Sequence, residues 1–261
     1  MVHLSRAKRY ESAQDDDCAD HCIAAGHVAK AHKGVTARIA GHTFLPSLLG
    51  PDSVVLDIGA NEGHFARAIV RDFDCKVHAV EPNPYLYTGL QELAISGVTA
   101  HGVALAGTRG PRPFLVMNNS EASHFPNVNG SNEGTIQVQA VTLEDLISQI
   151  PAPAGIDLIK MDIEGAELDV LEHVPARVLE RVRQLTIEFH QFVYPETRAR
   201  VEGVKKRLSN LGFWVVDFSR TNYDVLFVHP ATTPNRRIRA AVLFEKYHLR
   251  FRRGLVYWFG S

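Results

Sequence analysis

The chain has 261 residues, of which 45% are hydrophobic and 22% are charged, and its formal net charge is −1. These values are typical of one large globular α/β domain or of one domain with short appendages. The near-zero net charge gives no support for a nucleic-acid partner, and no apolar run approaches the roughly 20 residues that cross a bilayer. The polar N-terminus lacks the apolar stretch of a signal peptide, so we expect a cytoplasmic protein.

Residues 1–50 are predicted to form an N-terminal extension. A polar and acidic start is followed by small and apolar residues over 22–32, which suggest a helix. The alternating stretch VTARIAGHTFLP (35–46) is typical of a short hairpin. The turn residues Pro51, Asp52 and Ser53 then mark the start of the main domain, which we place at residues 51–230.

Strands and helices alternate through the main domain. The predicted strands are VVLDI (54–58), KVHAVE (76–81), VTAHGVAL (98–105), FLVM (114–117), IQVQAV (136–141), IDLIKMDI (156–163) and QLTIEF (184–189). The predicted helices cover residues 64–73, 85–96, 142–150, 166–173 and 196–210. The runs FWVVDF (213–218) and YDVLFVH (223–229) are joined by a short turn and suggest an antiparallel edge. This alternation predicts a mostly parallel sheet covered by helices on both faces.

The first strand runs into a loop of small residues, VVLDIGANEGHF (54–65). Gly59 and Gly63 would let the backbone turn sharply and approach a ligand closely. The helix that follows would offer free N–H groups at its N-terminus. Glu81 ends the second strand 24 residues beyond Asp57, close to the spacing of about 20 residues at which an acid binds a ribose diol. The pattern therefore predicts a nucleoside-bearing ligand at this edge of the sheet, against the alternative of a tight turn without a ligand.

The loop sequence also discriminates between nucleosides. Asn61 and Glu62 stand where a pyrophosphate would require bare backbone, and the Glu62 carboxylate would repel a phosphate near the helix start. A dinucleotide, and with it an NAD-dependent oxidoreductase, is therefore disfavoured. A phosphate-free ligand such as S-adenosylmethionine suits the loop better.

Four segments resemble the FkbM family of S-adenosylmethionine-dependent methyltransferases in order and spacing. They are VVLDIGANEG (54–63), VEPNP (80–84), VTLEDL (141–146) and, most specific of all, IDLIKMDIEGAELDVL (156–171). The resemblance spans about residues 50–190. It implies the class I methyltransferase fold, a Rossmann-like, seven-stranded and mostly parallel sheet with an antiparallel last strand and helices on both faces. It also implies methyl transfer to oxygen, often to a hydroxyl of a sugar, a glycan or a polyketide-type product.

The resemblance also implies nine cofactor-binding positions. Those near the methionine end of S-adenosylmethionine would be Asp57, Gly59, Ala60, Asn61 and Gly63. Those near the ribose and adenine would be Glu81, Pro82, Asn83 and Ala104. The sulfonium of this cofactor is already activated, so an enzyme of this kind mainly has to align the acceptor oxygen for in-line attack.

Two pairs of polar residues are candidates for deprotonating the acceptor. Asp162 and Glu164 lie two residues apart at the end of one predicted strand, so an extended backbone would put both side chains on one face. Glu188 and His190 repeat that spacing at the end of the next strand. We expect the four side chains to converge. His190 would then serve as the general base near neutral pH. Alternatively, the carboxylates would hold Mg²⁺, or they would only brace the loop and the cofactor.

The remaining predictions concern activity class and appendages. An N-methyltransferase and a nucleoside-binding module without catalysis stay open as alternatives to O-methyl transfer. The polar segment 118–134 is predicted to be an acceptor lid or a disordered loop. The tail, residues 231–261, contains the basic and aromatic segment 236–260, which we expect to meet an anionic membrane surface, to dock on the domain or to form a homodimer interface.

Overall fold

A computed structural model describes residues 34–116, 134–152 and 155–259. The predicted helix over 22–32 and nearly all of the predicted lid over 118–134 lie outside the described residues.

The strands are β1 (Ala37–Ile39), β2 (His42–Phe44), β3 (Val54–Ile58), β4 (Lys76–Val80), β5 (Val98–His101), β6 (Ala104–Leu105), β7 (Gly110–Leu115), β8 (Thr135–Val141), β9 (Leu158–Met161), β10 (Gln184–Ile187), β11 (Trp214–Asp217) and β12 (Val225–Val228). The α-helices are α1 (His64–Phe73), α2 (Pro84–Glu92), α3 (Leu143–Gln149), α4 (Glu167–His173), α5 (Ala176–Leu179), α6 (Arg198–Asn210) and α7 (Arg236–Phe259).

The main sheet has seven strands in the order β11-β12-β10-β9-β3-β4-β5. The pairs from β10 to β5 are parallel, whereas β12 runs antiparallel to both β10 and β11. The predicted parallel sheet with an antiparallel last strand is therefore confirmed. All residues of β3, β9 and β10 are buried, as expected for central parallel strands covered on both faces.

The predicted third strand over 98–105 is wrong in one respect, because the chain leaves the main sheet in its middle. Only β5 pairs with β4, while β6 pairs with β8 in a separate three-stranded sheet of order β6-β8-β7. Gly102 lies at the break, and a Cβ at that position would sit 3.0 Å from the ring of Tyr87. The close approach of the α2 side chain therefore coincides with the point where the chain changes sheets.

Both segments that flank the predicted main domain pack against the sheet. The hairpin β1–β2 forms as predicted, and the backbone and hydroxyl of Thr43 both donate to the buried carboxylate of Asp224. At the other end, Val242 of α7 is buried in one apolar cluster with Leu45 and with residues of β11 and β12. None of the helices in the described parts of the chain has the length and apolar character needed to cross a membrane.

Candidate active site

A cleft of about 230 Å³ lies beyond the carboxyl ends of β3, β4 and β9, the edge at which sheets of this kind bind ligands. The predicted site residues that line the cleft are Gly59, Ala60, Asn61, Glu81, Pro82, Ala104, Asp162 and Glu164. Most of the predicted cofactor positions therefore line the same cleft as the carboxylates of Asp162 and Glu164.

The other three predicted cofactor residues, Asp57, Gly63 and Asn83, do not line the cleft. Asp57 is fully buried, and its carboxylate accepts a hydrogen bond of 3.1 Å from the backbone N–H of Ala66. Gly63 begins helix α1, and the side chain of Asn83 caps α2 by accepting from Tyr85 N–H. These contacts make the three residues supports of the cleft walls.

Glu81 fixes the loop after β3 through both of its carboxylate oxygens. The backbone N–H groups of Asn61 and Asn83 each donate to this carboxylate at 2.9 Å. Burial raises the pKa of Glu81, although the two backbone hydrogen bonds oppose that shift. The residue thus ties the loop after β3 to the loop after β4, so its position is set before any ligand arrives.

The glycines of the loop are required by the protein itself. Gly59 has φ of +79°, and a Cβ there would lie 1.8 Å from the carbonyl oxygen of Asp162. Gly63 has φ of +77°, and its Cβ would lie 2.6 Å from Leu90. Neighbouring strand and helix atoms therefore occupy the space that a side chain would need at these two positions, and the approach of the glycines to a ligand stays a prediction.

Lys160 is a cleft residue that the sequence analysis missed. It lies in β9 with 5% exposure, and its ammonium donates to the carbonyl of Gly59 at 2.6 Å. The same ammonium lies 3.3 Å from Asp57 and 3.8 Å from Asp162. Burial opposes its charge, but the two carboxylates hold its pKa above the ordinary value. A lysine between the apolar residues Ile159 and Met161 of a predicted strand was the signal that could have identified it.

The chain turns tightly after β9 and presents Glu164 to the cleft. Glu164 has φ of +53°, and Gly165 follows with φ of +103°. A left-handed backbone is uncommon for a non-glycine residue and costs energy. Glu167 closes the turn, because its buried carboxylate accepts from the backbone N–H groups of Ile163 and Gly165. The expectation that an extended backbone puts Asp162 and Glu164 on one face was thus wrong in its reason, although both carboxylates reach the cleft.

His190 joins the second pair of carboxylates to the first. Its Nε2 lies 3.3 Å from Glu164 and 3.6 Å from both Asp162 and Glu188. Its Nδ1 lies 3.0 Å from Glu167, a second residue that the sequence analysis did not identify. The predicted convergence of the four side chains is therefore present in the structure. His190 itself is 5% exposed and borders a separate small cavity beside Tyr194.

The protonation equilibria of this carboxylate cluster are strongly shifted. Burial raises the pKa of Glu164 to about 7, and neighbouring Asp162 adds to the shift while His190 opposes it. Burial also raises the pKa of Glu188 well above its ordinary value. Although burial opposes the imidazolium of His190, Glu167 and the other carboxylates hold its pKa well above 6.5. The carboxylates therefore favour the imidazolium form of His190, and the raised pKa of Glu164 lies close to neutral pH.

His42 brings the N-terminal hairpin to the same cluster. It is 1% exposed, and its Nε2 lies 3.7 Å from a carboxylate oxygen of Asp162. Neither ring nitrogen has a hydrogen-bond partner within the described residues. Sequence reasoning could not find this residue, since only tertiary packing carries the hairpin across the sheet.

The carboxylates around His190 are also the predicted ligands of Mg²⁺. Asp162 belongs to two triads of nearby donor atoms, one with His42 and Glu188 and one with Glu164 and His190. Each triad mixes imidazole with carboxylate, whereas Mg²⁺ prefers oxygen ligands and retains several waters. The same carboxylates already face Lys160 and His190. The donor set therefore does not fit Mg²⁺.

The order of the main sheet, with β12 as its single antiparallel strand, is that of a class I methyltransferase fold, and the cleft lies at the ligand-binding edge of that fold. The methyltransferase FkbM domain model matches residues 57–215, which is more than half of the chain. The chain therefore belongs to the FkbM methyltransferase family.

Two curated relatives are each similar to about half of this chain. Methyltransferase 1 of Beauveria bassiana is 27% identical over 143 residues, which is 46% of this chain and 57% of that protein. The 2-O-methyltransferase NoeI of Sinorhizobium fredii is 28% identical over 155 residues, which is 52% of this chain and 63% of that protein. The matched regions thus span about three fifths of these two relatives. A solved structure of methyltransferase FkbM from Methylobacillus flagellatus is 17% identical, with a TM-score of 0.45, over 69% of this chain and 44% of that one.

Proposed function

We propose that this chain is an S-adenosylmethionine-dependent O-methyltransferase that acts on a hydroxyl group of a sugar, glycan or polyketide-type product. Family membership and the strand order support methyl transfer. The name of NoeI, a 2-O-methyltransferase, supports oxygen as the acceptor atom. The position of Glu164 in the cleft carries the proposal, since a hydroxyl acceptor has a proton to lose.

The cofactor side of the cleft would hold the nucleoside. S-adenosylmethionine supplies a methyl group that is already activated on a sulfonium. Glu81 would receive the ribose hydroxyls, because its carboxylate is fixed by two backbone N–H groups at the end of β4. Pro82 and Ala104 line the same part of the cleft and would contact the adenine. Gly59, Ala60 and Asn61 would surround the methionine end, beside the ammonium of Lys160.

Glu164 is the best placed base on the acceptor side. Its side chain is 35% exposed and lines the cleft, whereas His190 is buried behind it. A base works best when its pKa is close to the operating pH, and the pKa of Glu164 is raised to about 7. The left-handed turn that aims the side chain at the cleft stores backbone strain, which structures retain mainly at functional positions.

The proposed step needs only groups of this chain for the proton. As the acceptor oxygen bonds to the methyl carbon, the carbon–sulfur bond breaks and its electron pair stays on sulfur. The proton of the hydroxyl passes to a carboxylate oxygen of Glu164. The charged His190, 3.3 Å from that carboxylate, stabilises its ionised form before the transfer. Asp162, 3.8 Å from Lys160, would orient the acceptor from the other wall.

The general-base role that the sequence suggested for His190 stays a prediction. A base must be unprotonated, but the four surrounding carboxylates favour the imidazolium at neutral pH. We therefore assign His190 as the positioning residue that tunes Glu164. The different roles proposed for Glu164 and His190 can be distinguished by experiment.

The test compares Glu164→Gln with Glu180→Gln, an exposed glutamate on another surface. Turnover is followed as transfer of a labelled methyl group to a panel of sugars and polyketide-type alcohols. Glu164→Gln should lower kcat about 10²- to 10⁴-fold, the usual loss on removing a general base, while S-adenosylhomocysteine binds as before. Wild-type turnover in Glu164→Gln, with an equally active Glu180→Gln, would remove Glu164 from the mechanism.

The same assays address the alternatives that the sequence left open. Methylation of amines but not of alcohols would identify an N-methyltransferase. Tight S-adenosylhomocysteine binding without transfer to any acceptor would favour a nucleoside-binding module. Activity that EDTA abolishes and Mg²⁺ restores would establish a metal, whereas the proposal expects full turnover in chelator.

A further inference from the structure

Helix α7 presents two different faces, and one of them is fastened to the domain. Asn235 begins the helix by accepting from the backbone N–H groups of Arg237 and Ile238. Ile238 and Val242 pack against β11 and β12. One turn later, the carboxylate of Glu245 accepts from the backbone N–H groups of Val35 and Thr36. These contacts fix the orientation of the helix about its axis.

The opposite face carries large apolar side chains in water. Leu243 is 39% exposed, Phe244 is 72% exposed and Tyr247 is 64% exposed. Their spacing of three and four residues places them on one side of an α-helix. The same spacing continues in the sequence at Phe251, Leu255 and Trp258, before the helix ends at Phe259. Leu243, Phe244 and Tyr247 form the exposed apolar stripe of the helix, and an exposed apolar patch of this kind marks an interaction surface.

The charges of segment 236–260 are almost all positive. Residues 236–260 contain seven Arg or Lys and one acid, Glu245. Because Glu245 is turned inward to Val35 and Thr36, no acid of this segment accompanies the exposed stripe. Arg236 and Arg237 are exposed beside it. The face therefore combines an apolar stripe with positive charge that no acid of segment 236–260 offsets.

We propose that helix α7 lies on an anionic lipid surface, with Leu243, Phe244 and Tyr247 entering the headgroup boundary. Interfacial helices have this combination of an aromatic, aliphatic stripe and flanking cations. A second copy of the chain is a poorer occupant, because a symmetric contact would bring two cationic faces together. Nucleic acid would satisfy the charges but leave the apolar stripe in water.

The charge part of the proposal is tested with the full chain and vesicles. Co-sedimentation is measured with vesicles of phosphatidylcholine alone and with vesicles that contain phosphatidylserine. Binding should require phosphatidylserine and weaken with salt. The double variant Arg236→Glu/Arg237→Glu should lower partitioning at least about 30-fold, since each Lys or Arg contributes about 1 kcal/mol at an anionic surface.

The apolar part is tested with Phe244→Ser/Tyr247→Ser, which should lower partitioning to the same vesicles at least tenfold. Both side chains are exposed, so the melting temperature should not fall. Tyr85→Ser is the matched control, because Tyr85 is an aromatic residue with 79% exposure on another helix; it should bind like wild type.

Three results would overturn the proposal. The first is equal binding to vesicles with and without phosphatidylserine, or binding to neither. The second is a wild-type dimer on a sizing column that Phe244→Ser/Tyr247→Ser converts to a monomer, with no vesicle binding, which would identify an interface between copies. The third is salt-sensitive binding to single-stranded RNA in the absence of vesicle binding.

Discussion

The two sides of the cleft are built from the same kind of residue used in opposite ways. On the cofactor side, the carboxylate of Glu81 accepts from two backbone N–H groups and so holds two loops together. On the acceptor side, Glu164 and Glu188 face one imidazole, and burial raises the pKa of each. A carboxylate that accepts backbone hydrogen bonds fixes geometry, whereas buried carboxylates that lie close to one another have raised pKa values and keep their protons to higher pH.

The largest expected effect comes from the point where the two sides touch. Gly59→Ala would place a methyl group 1.8 Å from the carbonyl oxygen of Asp162, at a backbone φ that disfavours side chains. We expect loss of detectable S-adenosylhomocysteine binding by calorimetry and a lower melting temperature.

Gly89→Ala is the matched control for this change. Gly89 lies in α2, and a Cβ there meets nothing within 4 Å. It should keep wild-type affinity and gain up to about 1 kcal/mol of stability, because alanine is the better helix former. An unaffected Gly59→Ala would show that the loop does not depend on its contact with Asp162.

The cofactor side can be weakened without adding bulk. Glu81→Gln keeps the shape of the side chain but removes its charge, which should cost about 1.5–3 kcal/mol for hydrogen bonds to a charged acceptor. Affinity for S-adenosylhomocysteine should therefore fall about 10- to 150-fold. Glu92→Gln, an exposed change on α2, should bind normally. Equal affinities of the two variants would contradict the assigned role of Glu81.

On the acceptor side, a substitution of Glu188 should change how the stability of the protein depends on pH. The pKa of Glu188 is raised well above 4.5 in the folded protein, so the unfolded chain loses this proton at lower pH. The stability that this group contributes is present below about pH 4.5 and is lost as the pH rises towards the folded pKa. Because glutamine does not ionise, Glu188→Gln should not lose this stability as the pH rises.

Calorimetry should therefore show a higher melting temperature for Glu188→Gln at pH 8 and no gain at pH 4. A gain of about 2–4 °C corresponds to 1 kcal/mol in a protein of this size. The control Glu180→Gln should show no pH-dependent difference. A destabilised Glu188→Gln at pH 8 would mean that the ionised carboxylate stabilises the fold.

The loop between β3 and α1 was largely predictable from sequence, whereas only part of the membership of the carboxylate cluster was predicted. A strand pattern precedes the two glycines of this loop and a helix pattern follows them, and these are local signals. The residues that were missed, His42, Lys160 and Glu167, act through contacts between elements distant in the chain. The left-handed backbone of Glu164 has no local signal either, because glutamate has no preference for that conformation.

The central claim is that Glu164 is held with its pKa near neutrality at the acceptor wall. The most direct measurement is the pH titration of the side-chain carboxyl signals by NMR, in protein labelled with ¹³C at glutamate. We predict one carboxyl that titrates near pH 7, is missing in Glu164→Gln and moves to higher pH in His190→Gln. A signal assigned to Glu164 that titrates near the ordinary value of 4.5 would contradict the account.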